Sequence, residues 1–366
     1  MKIVVTLMLD SKNIDLVKDV GQIPYNLYKN GFYRSYLIST NIDMNGNYVD
    51  RAEGLNIRNI PVCLKNRTLT GILYLIKNSR SIDVLNLYHC RRRTYIFSKL
   101  YKFLNGKGKV YLKLDADFIT VEYVKDNKKY GKLFRRLTRV ADVVSAESSI
   151  IAELLQDYSE KKINVIPNGT DINSPDIFEQ KKNNFLTVAR LGSYQKNDEF
   201  LLQAFAKIAD KCDWNLIMVG SIEEEFSIYL EQFFKAYPIL KERVTITGEV
   251  NDRNKLIQYY SVSKVFVLPS RYESYGIVCA EALKMGCFLV ISDQVPPQKE
   301  FTANGKYGLV SGIDDVDEFS EAMYKATQTE FDEELYKNIS RYASDNFTWS
   351  KICNDLNSLL NSGKEE

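Results

Sequence analysis

Residues 184–220 read NFLTVARLGSYQKNDEFLLQAFAKIADKCDWNLIMVG. An apolar run (184–190) is followed by a loop, a longer segment, NDEFLLQAFAKIAD (197–210), and a second apolar run (215–220). Strand, amphipathic helix, strand is the βαβ unit, in which two parallel strands share a sheet and the helix covers it. Asn197 and Asp198 stand where that helix would start.

The alternation extends in both directions. Upstream, KIVVTLML, YRSYLIST, DVLNLYH, KVYLKL, DVVSAE and INVIP read as six strands; downstream, VTITG, VFVLPS and CFLVIS continue the second set. Each set suffices for its own sheet. Between them lies PNGTDINSPDIFEQKKNN (167–184), rich in Pro, Asn, Asp and Lys and without a period, which reads as a linker. A chain of 366 residues is long for a single core. The expected fold class is therefore α/β. Two Rossmann-like domains, 1–172 and 173–345, would face each other across a cleft, where the C-terminal strand ends can meet a ligand. A closing segment, 346–366, contains the helix FTWSKICNDLNSLL, with a narrow stripe of Ile352, Leu356, Leu359 and Leu360.

Composition excludes several classes. At 45% hydrophobic and 26% charged, the chain is globular rather than disordered. No apolar run reaches the roughly 18 residues that span a bilayer. The start, MKIVVTLMLD, reads as a buried strand rather than a signal peptide. Six scattered cysteines with no CxxC, and a single histidine, His89, offer no zinc spacing and fit reduced thiols in a cytoplasmic protein.

Charge is unevenly spread. Residues 1–165 hold 28 Lys+Arg against 16 Asp+Glu, and the remainder hold 21 against 31. Two basic stretches stand out, CRRRTYIFSKLYKFLNGKGK (90–109) and KDNKKYGKLFRRLTR (125–139). The second puts Lys128, Lys132, Arg135, Arg136 and Arg139 near one helical face. That face is either simply solvated or a contact for an anionic membrane surface or an acidic, lipid-linked substrate. No nucleic-acid partner is expected: there is no recognition motif, and the pI is about 8.0.

Two segments concentrate polar chemistry after strands. In VARLGSYQKN (188–197), Arg190 ends the strand and Lys196 lies in the loop before the helix. Two cations at a helix N-terminus make an anion site, because free N–H groups and the helix dipole add to them; two surface side chains are the plain alternative. In PSRYESYGIVCAEALKMG (269–286), Glu273 lies in the loop, Ser274 can cap the following helix, and Gly286 closes it. Gly276 would let a backbone approach a ligand. Glu281 falls inside the helix among Ile277, Val278, Ala280, Ala282 and Leu283, where a carboxylate needs a partner. A capping Glu273 with an exposed Glu281 is the plain alternative.

The E-x7-E spacing of Glu273 and Glu281 resembles the signature of retaining glycosyltransferases of the family-4 type, which have the two-Rossmann GT-B fold. VARLGSYQKNDEFLLQAF, VIPNGTDI, LIMVGS, VTITGEV, YGLVSG and FTWS resemble further blocks of that family, in order across residues 140–360. The first half is similar in layout alone. The resemblance implies that Arg190 and Lys196 hold the diphosphate of a UDP- or GDP-linked sugar donor in place of a metal. Glu281 would bond the ribose hydroxyls, and Glu273 would sit by the donor sugar. Tyr275, Gly276 and Ile277 would offer N–H groups, Glu249 and Val250 would lie by the base, and Gly21 would approach the phosphates. The final helix would cross back onto the first domain.

The activity so implied is metal-independent transfer of a hexosyl or related sugar to a glycan or lipid-linked acceptor. It would serve bacterial surface polysaccharide synthesis, need no cofactor, and place the protein in the cytoplasm or peripherally on the inner face of the plasma membrane. A non-catalytic nucleotide-sugar-binding protein, or another GT-B enzyme, is the alternative. Two departures touch the implied roles. Asp115 stands where the family often has an acceptor-facing histidine, and VPPQKE (295–300) replaces a glycine pair while keeping Glu300. His89 ends a strand and is either acceptor-facing or structural. Asp115 and Asp117 also form a D-x-D, as in metal-dependent single-domain enzymes, but that reading leaves the second half unexplained.

Overall fold

The computed structural model describes residues 1–175 and 181–362. Residues 176–180 of the expected linker, and 363–366 of the closing segment, lie outside the described residues. The chain forms two compact units: Met1–Gly169 together with the segment from Thr348, and Thr170–Phe347.

Among the described residues unit 1 has seven strands: β1 (Lys2–Leu7), β2 (Tyr33–Ser39), β3 (Asn56–Asn59), β4 (Val84–Tyr88), β5 (Lys109–Lys113), β6 (Val143–Ala146) and β7 (Ile163–Val165). Its helices are α1 (Asp19–Lys29), α2 (Arg67–Asn78), α3 (Arg92–Leu104), α4 (Phe118–Asp126), α5 (Lys128–Val140) and α6 (Ser149–Gln156). The strand order is β3-β2-β1-β4-β5-β6-β7, and every pairing is parallel. Strand β4 is buried along its whole length, as a parallel strand covered on both faces must be. On one face Leu75 of α2, Phe97 and Tyr101 of α3, and Phe134 and Leu137 of α5 pack with Val5, Leu85, Leu112 and Val144.

Among the described residues unit 2 has a six-stranded sheet: β8 (Lys182–Val188), β9 (Asn215–Val219), β10 (Val244–Ile246), β11 (Ser263–Leu268), β12 (Phe288–Ser292) and β13 (Gly308–Ser311). The order is β10-β9-β8-β11-β12-β13, again all parallel. Its helices are α7 (Asp198–Ile208), α8 (Glu224–Ala236), α9 (Arg253–Val262), α10 (Ile277–Lys284), α11 (Gln298–Phe301), α12 (Val316–Thr327) and α13 (Glu333–Asn346). Leu201, Leu202, Phe205 and Ile208 of α7 share a core with Phe185, Leu216 and Met218. The opening βαβ reading thus describes β8-α7-β9.

Two strands, β3 and β13, have no counterpart among the runs read as strands. Both are edge strands. β3 is NIRN, half to fully exposed; a short edge strand buries too little to need an apolar run.

The closing helix, α14 (Trp349–Asn361), belongs to the core of unit 1. Trp349, Ile352, Cys353, Leu356 and Leu360 pack with Val4, Ile23, Leu27 and Tyr33. Cys353 takes a place on the stripe, while Leu359 is only half-buried. Lys109 Nζ donates to the Leu360 carbonyl over 2.7 Å. Among the described residues no helix is long and apolar enough to cross a membrane.

Candidate functional site

Strands β8 and β11 are neighbours, with Phe185 level with Val265. Their C-terminal loops therefore lie side by side, and hydrogen bonds lock them together. Arg271 N donates to Gln195 O (2.8 Å), Gln195 Nε2 to Tyr272 O (3.0 Å), and Arg271 Nη1 to Tyr194 O (2.7 Å). The Arg271 guanidinium also sits 4.5 Å from the Tyr194 ring centre. This clamp brings Lys196 Nζ into an ion pair with the buried Glu273 carboxylate. Ser270 Oγ donates to the same Glu273 oxygen over 2.8 Å, and Ser292 of β12 fixes Ser270 through its carbonyl. Glu273 is thus a held, buried carboxylate rather than a helix cap.

Ser274 does not cap α10 either. The N-cap is Gly276, in the left-handed region at φ +91°, which disfavours any side chain. With no side-chain cap, the N–H groups of Gly276, Ile277 and Val278 have no protein acceptor among the described residues. They carry the positive end of the helix dipole. Tyr275 turns its ring into the core, against Phe301 at 5.0 Å. The N-terminus of α7, expected to be the anion site, is likewise without a side-chain cap, behind the left-handed Asn197 at φ 60°. Asp198 occupies its first turn and accepts a bond from Gly192 N (2.8 Å), and burial pushes its carboxyl up to about 6. Of the two helix ends, that of α10 has no carboxylate in its first turn.

Among the described residues Arg190 and Lys196 do not share a partner. Arg190 is largely exposed and pairs with Glu223 at 3.0 Å. Glu249 is exposed and Val250 half-buried, in the loop after the edge strand β10. Pro296 and Pro297 are buried, and Glu300 lies in the short helix α11.

Glu281 has the partners that its apolar surroundings demand. Arg253 Nη2 lies 2.7 Å from one carboxylate oxygen and Tyr260 OH 2.9 Å from the other. Arg253 also reaches Asp171 at 2.9 Å. Burial works against the Arg253 charge, but Glu281 and Asp171 outweigh it and hold the guanidinium more firmly protonated than usual. Burial, then Glu281, raises the Tyr260 hydroxyl far above its ordinary value. Sequence reasoning missed Arg253, Tyr260 and Asp171. The usable signal was the seven-residue spacing of Arg253 and Tyr260, two turns apart on one face of α9.

In unit 1, Asp115 and His89 lie just beyond the ends of the adjacent strands β5 and β4. Both backbones are left-handed, at φ 45° and 59°. Asp115 Oδ2 lies 3.6 Å from His89 Nδ1. Burial holds His89 below its ordinary value, with Asp115 opposing. The amides of Asp115 and Ala116 donate to Glu147 (3.1 and 3.2 Å), which pairs with the equally buried Lys113 at 3.1 Å. His89, Arg91, Asp115, Thr120 and Tyr130 line a small cavity of about 190 Å³. Asp117 caps α4, accepting from Thr120 N at 2.7 Å, so the D-x-D has a structural use for its second carboxylate. Gly21 is explained by packing: a Cβ there would meet the Leu16 backbone at 2.5 Å. On α5, Arg139 and Arg135 both face Glu160, at 2.9 and 3.8 Å.

Residues 170–346 match the family described as Glycosyl transferases group 1. Unit 2 carries a glycosyl transferases group 1 domain. The match to this group 1 domain starts and stops within a residue of the unit itself. An uncharacterized 41.2 kDa protein in the cps region of Klebsiella pneumoniae is 27% identical over 63% of this chain and 66% of its own. A Campylobacter jejuni enzyme is 24% identical over 56% of both chains; it is named as an N-acetylgalactosamine-N,N'-diacetylbacillosaminyl-diphospho-undecaprenol 4-alpha-N-acetylgalactosaminyltransferase. The chain thus spans less than two thirds of the curated relatives it matches. The solved structure of Anabaena Alr3699/HepE in complex with UDP superposes over 99% of this chain and 100% of that one, with a TM-score of 0.77 at 16% identity. That likeness places the two α/β units among GT-B folds.

Proposed function

We propose that the protein is a retaining glycosyltransferase of the family-4 type. It moves a hexosyl or related sugar from a UDP- or GDP-linked donor to a hydroxyl of a glycan or lipid-linked acceptor, in bacterial surface polysaccharide assembly. The observation that carries this reading is the Lys196–Glu273–Ser270 cluster, where the loop after β8 meets the loop that leads to the uncapped N-terminus of α10. A cation, a buried carboxylate and free amides suit a diphosphate and the sugar attached to it.

In this reading Lys196 turns from Glu273 to the diphosphate, and Arg190 swings in from the surface. Together they neutralise the leaving group's charge without a metal, and no cofactor is needed. The amides of Tyr275, Gly276 and Ile277 complete the anion site. Glu281 uses two lone pairs on Arg253 and Tyr260 and has others for the ribose hydroxyls. Glu249 and Val250 flank the base. Glu273, released by Lys196, positions the donor sugar. Asp115 orients the acceptor hydroxyl, and Gly21, in the first turn of α1, leaves room for the Leu16 backbone. The name of the Campylobacter relative and the cps location of the Klebsiella one support a lipid-linked acceptor. The protein then works in the cytoplasm, at the inner membrane face.

The test begins with a panel of nucleotide sugars, reading which of them raises Tm. That donor, labelled, is then incubated with short glycan and lipid-diphosphate acceptors, and the anomeric configuration of the product is read by NMR. Binding without transfer by wild type would leave only a nucleotide-sugar-binding protein. An inverted anomer would remove the retaining assignment.

A further inference from the structure

We propose that the outward face of helices α2 and α3 is the surface by which unit 1 lies on an anionic lipid bilayer. The inference deepens the proposed function and takes its purpose from the lipid-linked acceptor. It stands on observations that the donor site does not use.

The two helices lie side by side in a known register. A Cβ on Gly71 would meet the Phe97 ring at 2.2 Å, and Asn105 Nδ2 donates to Ser79 O over 2.8 Å. An offset of 26 residues therefore aligns α2 with α3 along their length. Leu73 stands level with Lys99, and Lys77 level with Phe103. Leu73 and Ile76 on α2, and Ile96 and Phe103 on α3, are all exposed, Phe103 by 86%. These four apolar side chains do not join the core beneath, which Leu75, Phe97 and Tyr101 already fill.

Cations are interleaved among them. Arg92, Ile96, Lys99 and Phe103 recur at helical spacing on one stripe of α3, alternating charge and apolar bulk. Lys77 and Arg80 continue the pattern at the end of α2. None of these four cations has an ion-pair partner among the described residues. Residues 64–108 contain ten Lys+Arg and a single acidic residue, Asp83, whose carboxylate accepts from Ile3 N at the sheet. By contrast, Arg135 and Arg139 of α5, the stretch singled out from charge alone, share Glu160.

Apolar anchors set among cations without ion-pair partners among the described residues, on two helices that carry no carboxylate of their own and whose neighbours Asp10 and Asp142 are taken up by Arg93 and Lys102, match a negatively charged headgroup layer over an acyl interior. A second copy of the chain is a poor occupant. A two-fold contact would bring two faces of the same sign together.

The experiment is co-sedimentation of the full chain with vesicles of phosphatidylglycerol and phosphatidylcholine, against phosphatidylcholine alone. Wild type is expected to sediment with the anionic vesicles only. Ile76→Ser with Phe103→Ser, and separately Arg92→Glu with Lys99→Glu, are expected to weaken binding at least ~10-fold. Arg139→Glu should change it far less. All of these side chains are exposed, so Tm is expected to hold. The indole introduced by Phe103→Trp should shift its fluorescence to the blue on the anionic vesicles. Equal partition of wild type and variants, an unshifted indole, or a dimer in sedimentation velocity that Phe103→Ser dissolves would each overturn the proposal. Nucleotide-sugar binding measured without vesicles tests the enzyme reading separately, so either can fail alone.

Discussion

Lys196 and Glu273, 77 residues apart in sequence, form an ion pair in unit 2, and Ser270 donates to the same carboxylate. The pair neutralises a buried acid that would otherwise be costly. It also occupies the cation that a diphosphate would need. Glu273→Gln should therefore leave UDP affinity equal or higher, while turnover falls on the order of 100-fold. Lys196→Met should lose both, and it should also lower Tm because Glu273 is left buried without its cation. Calorimetric titration with UDP, alongside kcat, reads both arms. Weaker UDP binding by Glu273→Gln would show that the pair does not compete with the nucleotide.

Arg253 is the shared partner of Glu281 and Asp171. Removing it strands two carboxylates, one of them buried. Arg253→Met is expected to cost about 3–5 kcal/mol of stability, whereas Tyr260→Phe removes one hydrogen bond and should cost about 1 kcal/mol. Urea melts of the two variants give the comparison. Equal losses would mean that Arg253 does not organise the site.

Arg190 offers the opposite case. Its pair with Glu223 is exposed on both sides, so Arg190→Ala should change stability by less than about 0.5 kcal/mol. If it reaches the diphosphate, donor KM should still rise about tenfold or more. Glu223→Gln, which frees the guanidinium, should not raise KM. Steady-state kinetics on all three proteins separates a donor contact from a surface salt bridge.

Asp198 gives a pH signature. Burial raises its folded carboxyl from 3.8 to about 6. Between those values the folded state keeps a proton that the unfolded chain has released. The stabilisation is complete below about pH 4, falls as pH rises through about 6, and is flat above. Asp198→Asn keeps an acceptor for Gly192 N and removes the titration. Relative to wild type it should gain on the order of 1–3 kcal/mol between pH 4 and pH 8. Denaturant melts across that range test the sign; a variant that loses ground as pH rises would contradict it.

The apolar runs and their spacing were enough to show two parallel α/β sheets, and to put Arg190, Lys196, Glu273 and Asp115 at or beyond strand ends and Glu281 inside a helix. Burial is a local property written residue by residue into periodicity, so central strands and amphipathic helices can be read directly. The edge strands β3 and β13 escaped because an edge buries little.

Which polar groups meet is a different kind of fact. Lys196 finds Glu273 because β8 lies beside β11, an adjacency that skips β9 and β10 in the chain. Glu281 needed a partner on sequence grounds alone, but only the fold, which brings side chains of α9 within hydrogen-bond reach of α10, supplied Arg253 and Tyr260. The same holds for charge. Composition marked two basic stretches, and the tertiary structure set Arg135 and Arg139 against Glu160 while leaving Arg92 and Lys99 without an ion-pair partner among the described residues, beside exposed apolar side chains. A charge's partner is decided by distance in space, and strand order, not residue order, sets that distance.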